Sequence, residues 1–203
     1  MSLSALTPDK IAEICTGYWL NDKVPDFALH RTVIDSREMT ANSLFIALRG
    51  AQTDGHAFLA SLAGAKQHAA MVKAPNAEID LPQLCVSNVK KGFQALAEYI
   101  AHHTRARKIA ITGSVGKTGT KDMIAEMLQK AGKVHATKGN LNNHLGVPLT
   151  LSDLAEDIDF LVTEMGMNGA GEINLLSNMV RPDIAIITRI SNTHVGFFNN
   201  LSE

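Results

Sequence analysis

Apolar residues along this chain fall into two patterns, short continuous runs and longer stretches with helical spacing. Short runs bounded by polar or glycine-containing segments predict strands, and they occupy 28–34, 43–48, 69–72, 84–86, 109–112, 133–136, 160–162 and 184–188. Apolar residues three or four positions apart predict helices, and they occupy 8–18, 58–64, 89–103, 148–154 and 172–179. A further helix is expected to run from the turn at 113–116 to residue 131.

The first of these helices has one apolar face, and we expect that face to be core. It is formed by Ile11, Ile14, Cys15 and Tyr18, and Thr7 stands where an N-cap residue would. A threonine hydroxyl at that position accepts a backbone N–H of the first turn. The chain is therefore expected to open with a short amphipathic helix.

Strands that alternate with helices are typical of an α/β fold. We expect a small α/β domain over residues 1–90 and a second domain over 91–203, with the boundary lying somewhere within 86–107. The second domain should have a mostly parallel sheet with flanking helices, and its ligand should lie beyond the carboxyl ends of the strands. The chain ends soon after a predicted strand, so the second sheet is expected to be incomplete.

The stretch 109–124 runs from an apolar strand through a glycine turn into an amphipathic helix, which is the context of a phosphate-binding loop. Such a loop needs glycines so that backbone N–H groups can surround an anion, a lysine as a point charge and a hydroxyl for Mg²⁺. Ile111 stands where the strict G-x-x-x-x-G-K-[ST] pattern requires glycine, so the match is to the shorter G-x-x-G-K-T. The predicted nucleotide-binding residues are Gly113, Ser114, Val115, Gly116, Lys117, Thr118, Gly119 and Thr120. The alternative is a glycine turn before a surface helix whose lysine is solvated.

Composition excludes several classes of protein. The chain has 203 residues, of which 45% are hydrophobic and 19% charged, and its net charge of −1 gives no basic excess that would suggest a nucleic-acid partner. Cys15 and Cys85 are far apart in the sequence, which favours neither a disulfide framework nor a zinc site and fits the cytoplasm. We expect neither export nor a membrane span, because the N-terminus lacks a signal-like pattern and no run of about 18 apolar residues occurs.

Two residues follow strands at the edge where the phosphate loop is expected. Glu164 ends the apolar run at 160–162, where an acid can support Mg²⁺; the alternative is a carboxylate that caps the next helix. His194 comes six residues after the predicted strand 184–188, where an imidazole can take a metal or phosphate role, although a single histidine is often just a loop residue.

Three polar clusters are candidate substrate-binding residues. Asn140, Asn142 and Asn143 offer uncharged donors and acceptors suited to a sugar or peptide, although asparagines are equally common in turns. Asp35, Ser36 and Arg37 form a second cluster and could bind another anion together with a third cluster, Arg49, Gly50, Asp54, Gly55 and His56. Turn stabilisation explains these last two clusters equally well.

Taken together, the motifs resemble those of the Mur ligases, the ATP-dependent amide ligases of peptidoglycan precursor synthesis. The resemblance rests on residues 112–118, 138–148, 163–166 and the His194 loop, with Asp35-Ser36-Arg37 and Asp54-Gly55-His56 resembling the family's UDP-binding domain. Residues 139–151 and 164–173 are most similar to the members that join D-alanyl-D-alanine to UDP-MurNAc-tripeptide.

The resemblance implies an ADP-forming ligation through an acyl phosphate, with ATP and Mg²⁺ as cofactors, by an enzyme we expect to be a cytoplasmic monomer. Lys117 and the loop amides would hold the β- and γ-phosphates, Thr118 and Glu164 one Mg²⁺, and His194 a second. The N-terminal domain would hold the UDP group through Ser36, Arg37, Arg49, Asp54 and His56, and Asn140, Asn142 and Asn143 would contact substrate.

The sequence departs from the family pattern at three places. Gly119 replaces a usual threonine or serine, the loop 188–196 differs from the usual Asn…Ala-His-Leu-Glu, and the later carbamylated lysine and C-terminal domain have no counterpart. The resemblance therefore implies a fragment that does not ligate by itself. The alternatives are a family member that adds a single amino acid, a folylpolyglutamate-synthetase relative, a P-loop module that binds nucleotide without ligating, and a small-molecule P-loop kinase, which would need an arginine-rich lid.

Overall fold

The computed structural model describes residues 2–64 and 67–191. Contacts between residues divide the chain into two compact units, one over Ser2–Tyr99 and one that begins at Ile100. The division falls within a long helix, and the domain limits expected from the sequence stay predictions. Within the described residues no helix is both long and apolar enough to cross a membrane.

The first unit contains a five-stranded sheet in the order β1-β5-β4-β3-β2. Its strands are β1 (Tyr18–Trp19), β2 (Arg31–Val33), β3 (Ser43–Ile46), β4 (His68–Val72) and β5 (Gln83–Cys85). Strands β2 to β5 are parallel and β1 is antiparallel to β5. The helices are α1 (Pro8–Ile14), 3₁₀ helices at Leu3–Ala5, Leu20–Asp22, Ser36–Glu38 and Gly55–Leu62, and α2 (Val89–His103), which runs across the division.

The first helix is shorter than the sequence predicts. Thr7 caps it as expected, because its hydroxyl accepts the Lys10 N–H at 3.2 Å, but α1 ends at Ile14. Thr16 has a left-handed φ of 51°, and a Cβ at Gly17 would lie 2.5 Å from the Cys85 carbonyl oxygen. The prediction that Tyr18 belongs to the buried helical face is therefore wrong: Tyr18 lies in β1 and is 63% exposed.

The 3₁₀ helix Gly55–Leu62 packs on this sheet. The sequence predicts a helix over 58–64, and the structure has the 3₁₀ helix Gly55–Leu62, which begins earlier because the Asp54 carboxylate accepts the His56 N–H at 3.0 Å. Leu59 and Leu62 of this helix pack on Phe45 and Ala70 of the sheet. Burial of these apolar side chains holds β3 and β4 beside the 3₁₀ helix.

The second unit contains a four-stranded sheet in the order β7-β8-β6-β9, and all its strand pairs are parallel. Its strands are β6 (Arg107–Thr112), β7 (Val134–Ala136), β8 (Phe160–Glu164) and β9 (Ile184–Ile187), and its helices are α3 (Lys117–Leu128), α4 (Gly146–Ser152) and α5 (Glu172–Val180). The predicted fold class, α/β with mostly parallel sheets and flanking helices, is confirmed. In a parallel sheet all carboxyl ends share one edge, so Thr112, Ala136, Glu164 and Ile187 lie along it.

Candidate nucleotide-binding site

The loop between β6 and α3 is built on two glycines with left-handed backbone. Gly113 has φ 134° and Gly116 has φ 82°, a region that other residues enter only with strain. At Gly113 space is also lacking, because a Cβ there would lie 2.2 Å from the Thr188 hydroxyl and 3.0 Å from the Arg189 backbone. Both predicted glycines are therefore required by the path of the chain.

The start of α3 presents positive charge to the loop. Gly116 is the N-cap and has no side chain to satisfy the first amides of the helix, which by helix geometry have no partner within the helix itself. The Lys117 ammonium lies over the loop and donates to the Gly113 carbonyl at 2.7 Å. Free amides, a helix dipole and an ammonium together form a site for an anion.

Residues that follow β9 brace this loop from the other side. The Thr188 hydroxyl donates to the Val115 carbonyl at 2.6 Å, and the Ser114 N–H donates to the Arg189 carbonyl at 2.7 Å. The Ser114 hydroxyl accepts the Ser191 N–H at 3.0 Å. These contacts fix the predicted residues Ser114 and Val115, whose bracing by residues 188–191 the sequence analysis missed.

A hydroxyl, a carboxylate and an amide meet beside the loop. Thr118 is exposed at the start of α3, and its hydroxyl donates to Glu164 Oε2 at 2.8 Å. The Asn142 amide donates to Glu164 Oε1 at 2.7 Å. Glu164 is only 2% exposed, so its two oxygens are held in fixed positions. Hydroxyl and carboxylate oxygens are the donors that Mg²⁺ prefers, and the pair at Thr118 and Glu164 fits that ion.

The three predicted asparagines have different positions. Asn142 alone contacts Glu164, whereas the Asn143 side-chain oxygen accepts the N–H groups of Leu145 and Gly146 at 3.0 Å. Asn140 is exposed, and its carbonyl accepts the Asn142 N–H at 2.8 Å. Asn143 thus holds the start of α4, which is the turn role that the sequence left open.

The remaining residues predicted at this site differ in their surroundings. Gly119 has open space where a Cβ would stand, and the Thr120 N–H donates to the Gly116 carbonyl at 3.0 Å. His194 lies outside the described residues. Among the residues that the structure describes, no cluster of three histidine, cysteine, aspartate or glutamate side chains could hold a metal ion.

A second concave site lies in the first unit. An open pocket of about 600 Å³ is lined by residues from the ends of β2 and β3 and from the 3₁₀ helix: Ile34, Asp35, Ser36, Arg37, Leu48, Gly50, Thr53, Gly55 and Phe58. Of the residues predicted to bind substrate in this unit, Ser36 and Arg37 line the pocket, whereas Arg49, Asp54 and His56 are not among its lining residues. Their role in binding stays a prediction. Ile34 and Phe58 are 37% and 39% exposed, which gives the pocket an apolar surface between polar groups.

The charges around this pocket are paired locally. The Arg37 guanidinium donates to both oxygens of Asp35, and this contact lowers the pKa of Asp35 to about 2. The Arg49 guanidinium lies 3.8 Å from the Asp54 carboxylate and its side chain is 83% exposed. Both arginines are therefore at the surface, each beside an aspartate.

Both ring nitrogens of His56 are engaged within the protein. Nδ1 lies 2.7 Å from the Asp54 carboxylate, and Nε2 accepts the backbone N–H groups of Lys73 and Ala74 at 3.0 and 3.3 Å. Bonds from the His56 N–H and ring also lower the pKa of Asp54. The Asp54-Gly55-His56 motif thus ties the 3₁₀ helix Gly55–Leu62 to the segment that follows β4.

The second unit has the strand–glycine loop–helix arrangement of a P-loop, and the first α/β unit precedes it in the chain. Two family models match in turn: Mur ligase family, catalytic domain, over residues 28–110, and Mur ligase middle domain, over residues 111–203. The chain belongs to the Mur ligase family, as the sequence resemblance implies.

Several relatives and solved structures are similar to this chain. UDP-N-acetylmuramoyl-tripeptide--D-alanyl-D-alanine ligase of Escherichia coli (strain K12) is 37% identical over 177 residues, which is 87% of this chain and 39% of that protein. The crystal structure of MurF from Acinetobacter baumannii superposes with a TM-score of 0.90 at 34% identity, covering 97% of this chain and 43% of that one. MurF ligase from Thermotoga maritima in complex with ADP gives a TM-score of 0.76 at 26% identity, covering 85% and 40%. The chain thus spans about two fifths of the length of these proteins.

Proposed function

We propose that this chain provides the UDP-binding and nucleotide-binding parts of an ATP-dependent ligase that joins D-alanyl-D-alanine to UDP-MurNAc-tripeptide. The observation that carries the proposal is the contact of Thr118, Glu164 and Asn142 beside the loop that begins α3. Relatives and structures named for this reaction support the choice of substrates.

In the proposed reaction the terminal carboxylate of the UDP-linked peptide attacks the γ-phosphorus of ATP. ADP leaves and an acyl phosphate forms; the amine of D-alanyl-D-alanine then attacks the acyl carbon, a proton is lost from nitrogen, and inorganic phosphate leaves. Phosphoryl transfer of this kind depends mainly on positioning and on neutralising charge. The chain's own part is to hold the phosphates in place.

The residues at the loop have distinct roles in this proposal. The amides of the loop and of the first turn of α3 would hold the β- and γ-phosphates, apart from those of Ser114 and Thr120, which are bonded to the Arg189 and Gly116 carbonyls. The Lys117 ammonium, which donates to the Gly113 carbonyl, would turn to a phosphate oxygen. Thr118 and Glu164 hold Mg²⁺, which when bound neutralises phosphate charge. His194 remains proposed for a second metal ion.

The pocket of the first unit is proposed to bind the UDP group. Ile34 and Phe58 offer apolar surface to a base, whereas Ser36, Arg37 and Arg49 offer donors to a diphosphate. Asp54 and His56 flank Gly55, which lines the pocket, and are proposed to hold its shape. The proposal includes a cytoplasmic monomer as the working form, and the two buried free thiols, Cys15 and Cys85, fit a reducing compartment.

Thermal unfolding with separate ligands tests the proposal. UDP-MurNAc-tripeptide or Mg-ADP at 100 times its Kd should each stabilise the chain by about 2.7 kcal/mol, and UDP-N-acetylglucosamine should do less than the tripeptide ligand. A shift with Mg-ADP alone would reject the substrate assignment and favour a nucleotide-binding module. No shift with Mg-ADP would reject the nucleotide site itself.

A further inference from the structure

Lys121 is a charged side chain in the interior of the nucleotide-binding unit. It lies one turn after Lys117 on α3, yet it is only 4% exposed. Its ammonium donates to the Thr137 carbonyl at 2.8 Å and lies 2.7 Å from the Asp122 carboxylate, whose side chain is 65% exposed. Removing an ammonium from water is costly unless it is well hydrogen-bonded, so a lysine held this way needs an explanation beyond helix propensity.

Thr137 hydrogen-bonds both Lys121 and Glu164, the residue whose carboxylate is proposed to bind Mg²⁺. It follows β7, is 1% exposed, and makes three contacts at once. Its carbonyl accepts the Lys121 ammonium, its N–H donates to the Val162 carbonyl at 3.0 Å, and its hydroxyl accepts the Glu164 N–H at 3.1 Å. The backbone of Glu164 is therefore held by the residue that Lys121 fixes.

The same segment also holds the carboxylate of Glu164. Residues 138–145 follow Thr137 directly and carry Asn142, whose amide donates to Glu164 Oε1 at 2.7 Å. The Asn142 carbonyl accepts the Gly166 N–H at 2.7 Å. Thr137 thus bonds the backbone of Glu164, and Asn142 bonds its side chain. The Lys121 ammonium bonds the carbonyl of Thr137, the residue directly before this segment.

We propose that Lys121 is a positioning residue for the Mg²⁺ site, acting on Glu164 through Thr137 and the segment 138–145. This inference rests on the proposed function, because Glu164 has a metal role only if the chain binds Mg-nucleotide. Lys121 itself touches neither phosphate nor metal. Partners behind a metal ligand hold its geometry, and losing one commonly costs about 10–100-fold in metal affinity.

The test measures ADP binding to the chain by calorimetry across a series of Mg²⁺ concentrations. Lys121→Met keeps the length of the side chain and removes the donor to the Thr137 carbonyl. We expect the Mg²⁺ concentration at half-maximal effect to rise about tenfold or more, while ADP binding without Mg²⁺ stays the same. Lys121→Arg retains hydrogen-bond donors, so its Mg²⁺ midpoint should lie much closer to the wild-type value than that of Lys121→Met. Lys130→Met is the matched control, because Lys130 is exposed just after α3.

The outcomes separate this inference from the proposed function. A folded Lys121→Met variant with an unchanged Mg²⁺ midpoint overturns the inference, and so does an equal loss of ADP affinity with and without Mg²⁺, which would indicate general loosening. Wild-type chain that fails to bind Mg-ADP contradicts the proposed function instead.

A second pair of variants decides the matter if Lys121→Met does not fold. Thr137→Val leaves the carbonyl for Lys121 but removes the hydroxyl that accepts the Glu164 N–H, whereas Thr137→Ser retains it. We expect Thr137→Val to raise the Mg²⁺ midpoint and Thr137→Ser to leave it near the wild-type value. Equal midpoints for the two variants overturn the relay through Thr137.

Discussion

The two candidate sites of this chain differ in how far apart in the sequence their contacting residues lie. At the loop of the second unit, Thr118 meets Glu164 and Ser114 meets Ser191, so distant segments converge on one place. At the pocket of the first unit polar groups pair with near neighbours, Arg37 with Asp35 and His56 Nδ1 with Asp54. Polar groups that come together from distant parts of the sequence indicate a ligand site, whereas pairs of near neighbours also stabilise turns.

The largest effect expected at the convergent site comes from Gly113→Ala. The substitution forces an alanine to φ 134° and places its Cβ against Thr188 and Arg189, so we expect a loss of about 3 kcal/mol in unfolding free energy and no measurable Mg-ADP binding. Denaturant unfolding and calorimetry measure the two effects. Gly119→Ala is the control, since its Cβ has open space; it should be neutral or raise stability by up to about 1 kcal/mol.

Removing the carboxylate tests the same site without disturbing the backbone. For Glu164→Ala we expect Mg²⁺-dependent ADP affinity to fall at least about 10–100-fold, because the ion loses the carboxylate oxygen proposed to bind it. ADP binding without Mg²⁺ should change little. The exposed Glu126→Gln on α3 serves as control, and retention of full Mg²⁺ dependence in Glu164→Ala would contradict the assigned metal role.

The local pairs of the first unit are tested at His56. His56→Ala leaves the Lys73 and Ala74 amides without their acceptor, so unfolding free energy should fall by about 1–3 kcal/mol, and UDP-MurNAc-tripeptide binding should weaken while Mg-ADP binding holds. His56→Gln can restore an acceptor and should recover part of the stability. If His56→Ala impairs the binding of the UDP ligand with no change in stability, His56 contacts the ligand directly.

The smallest effect is expected from acid titration of Asp35. Its folded-state pKa of about 2 lies below the ordinary carboxyl value, so the stabilisation it gives is present above about pH 4 and is lost as pH falls through the folded pKa near 2. Solvent screening keeps the contribution small. Unfolding measured between those pH values should show a slightly weaker pH dependence for Asp35→Asn than for wild type, and identical curves would contradict the pairing with Arg37.

The sequence indicates the residues that the structure brings together at the loop where their spacing follows a chemical pattern, and their roles there stay predictions. The glycines, Lys117 and Thr118 follow from what a phosphate needs within one strand-turn-helix, and Glu164 follows from its place at the end of a strand. The sequence indicates Asn142 as a candidate substrate residue. Its contact with Glu164 cannot be predicted locally, because that contact depends on how the segment 138–145 folds back.

Other parts depend on tertiary structure that no local pattern carries. Lys121 has the spacing of a solvated helix residue, and only the position of the β7 end explains its burial. Thr188 braces the loop because β9 pairs beside β6. Tyr18 fits a helical stripe, yet the close packing of Gly17 against β5 ends the helix first.

The bracing of the glycine loop by residues 188–191 sets an order of events during synthesis. The loop at 113–116 leaves the ribosome more than seventy residues before Thr188, Arg189 and Ser191, which hold it in shape. A nascent chain released at residue 180 would carry the complete glycine motif but neither β9 nor the brace. The glycine loop can therefore take its braced form only after β9 has joined the sheet, so a motif near the middle of the described residues depends on a partner that is made later.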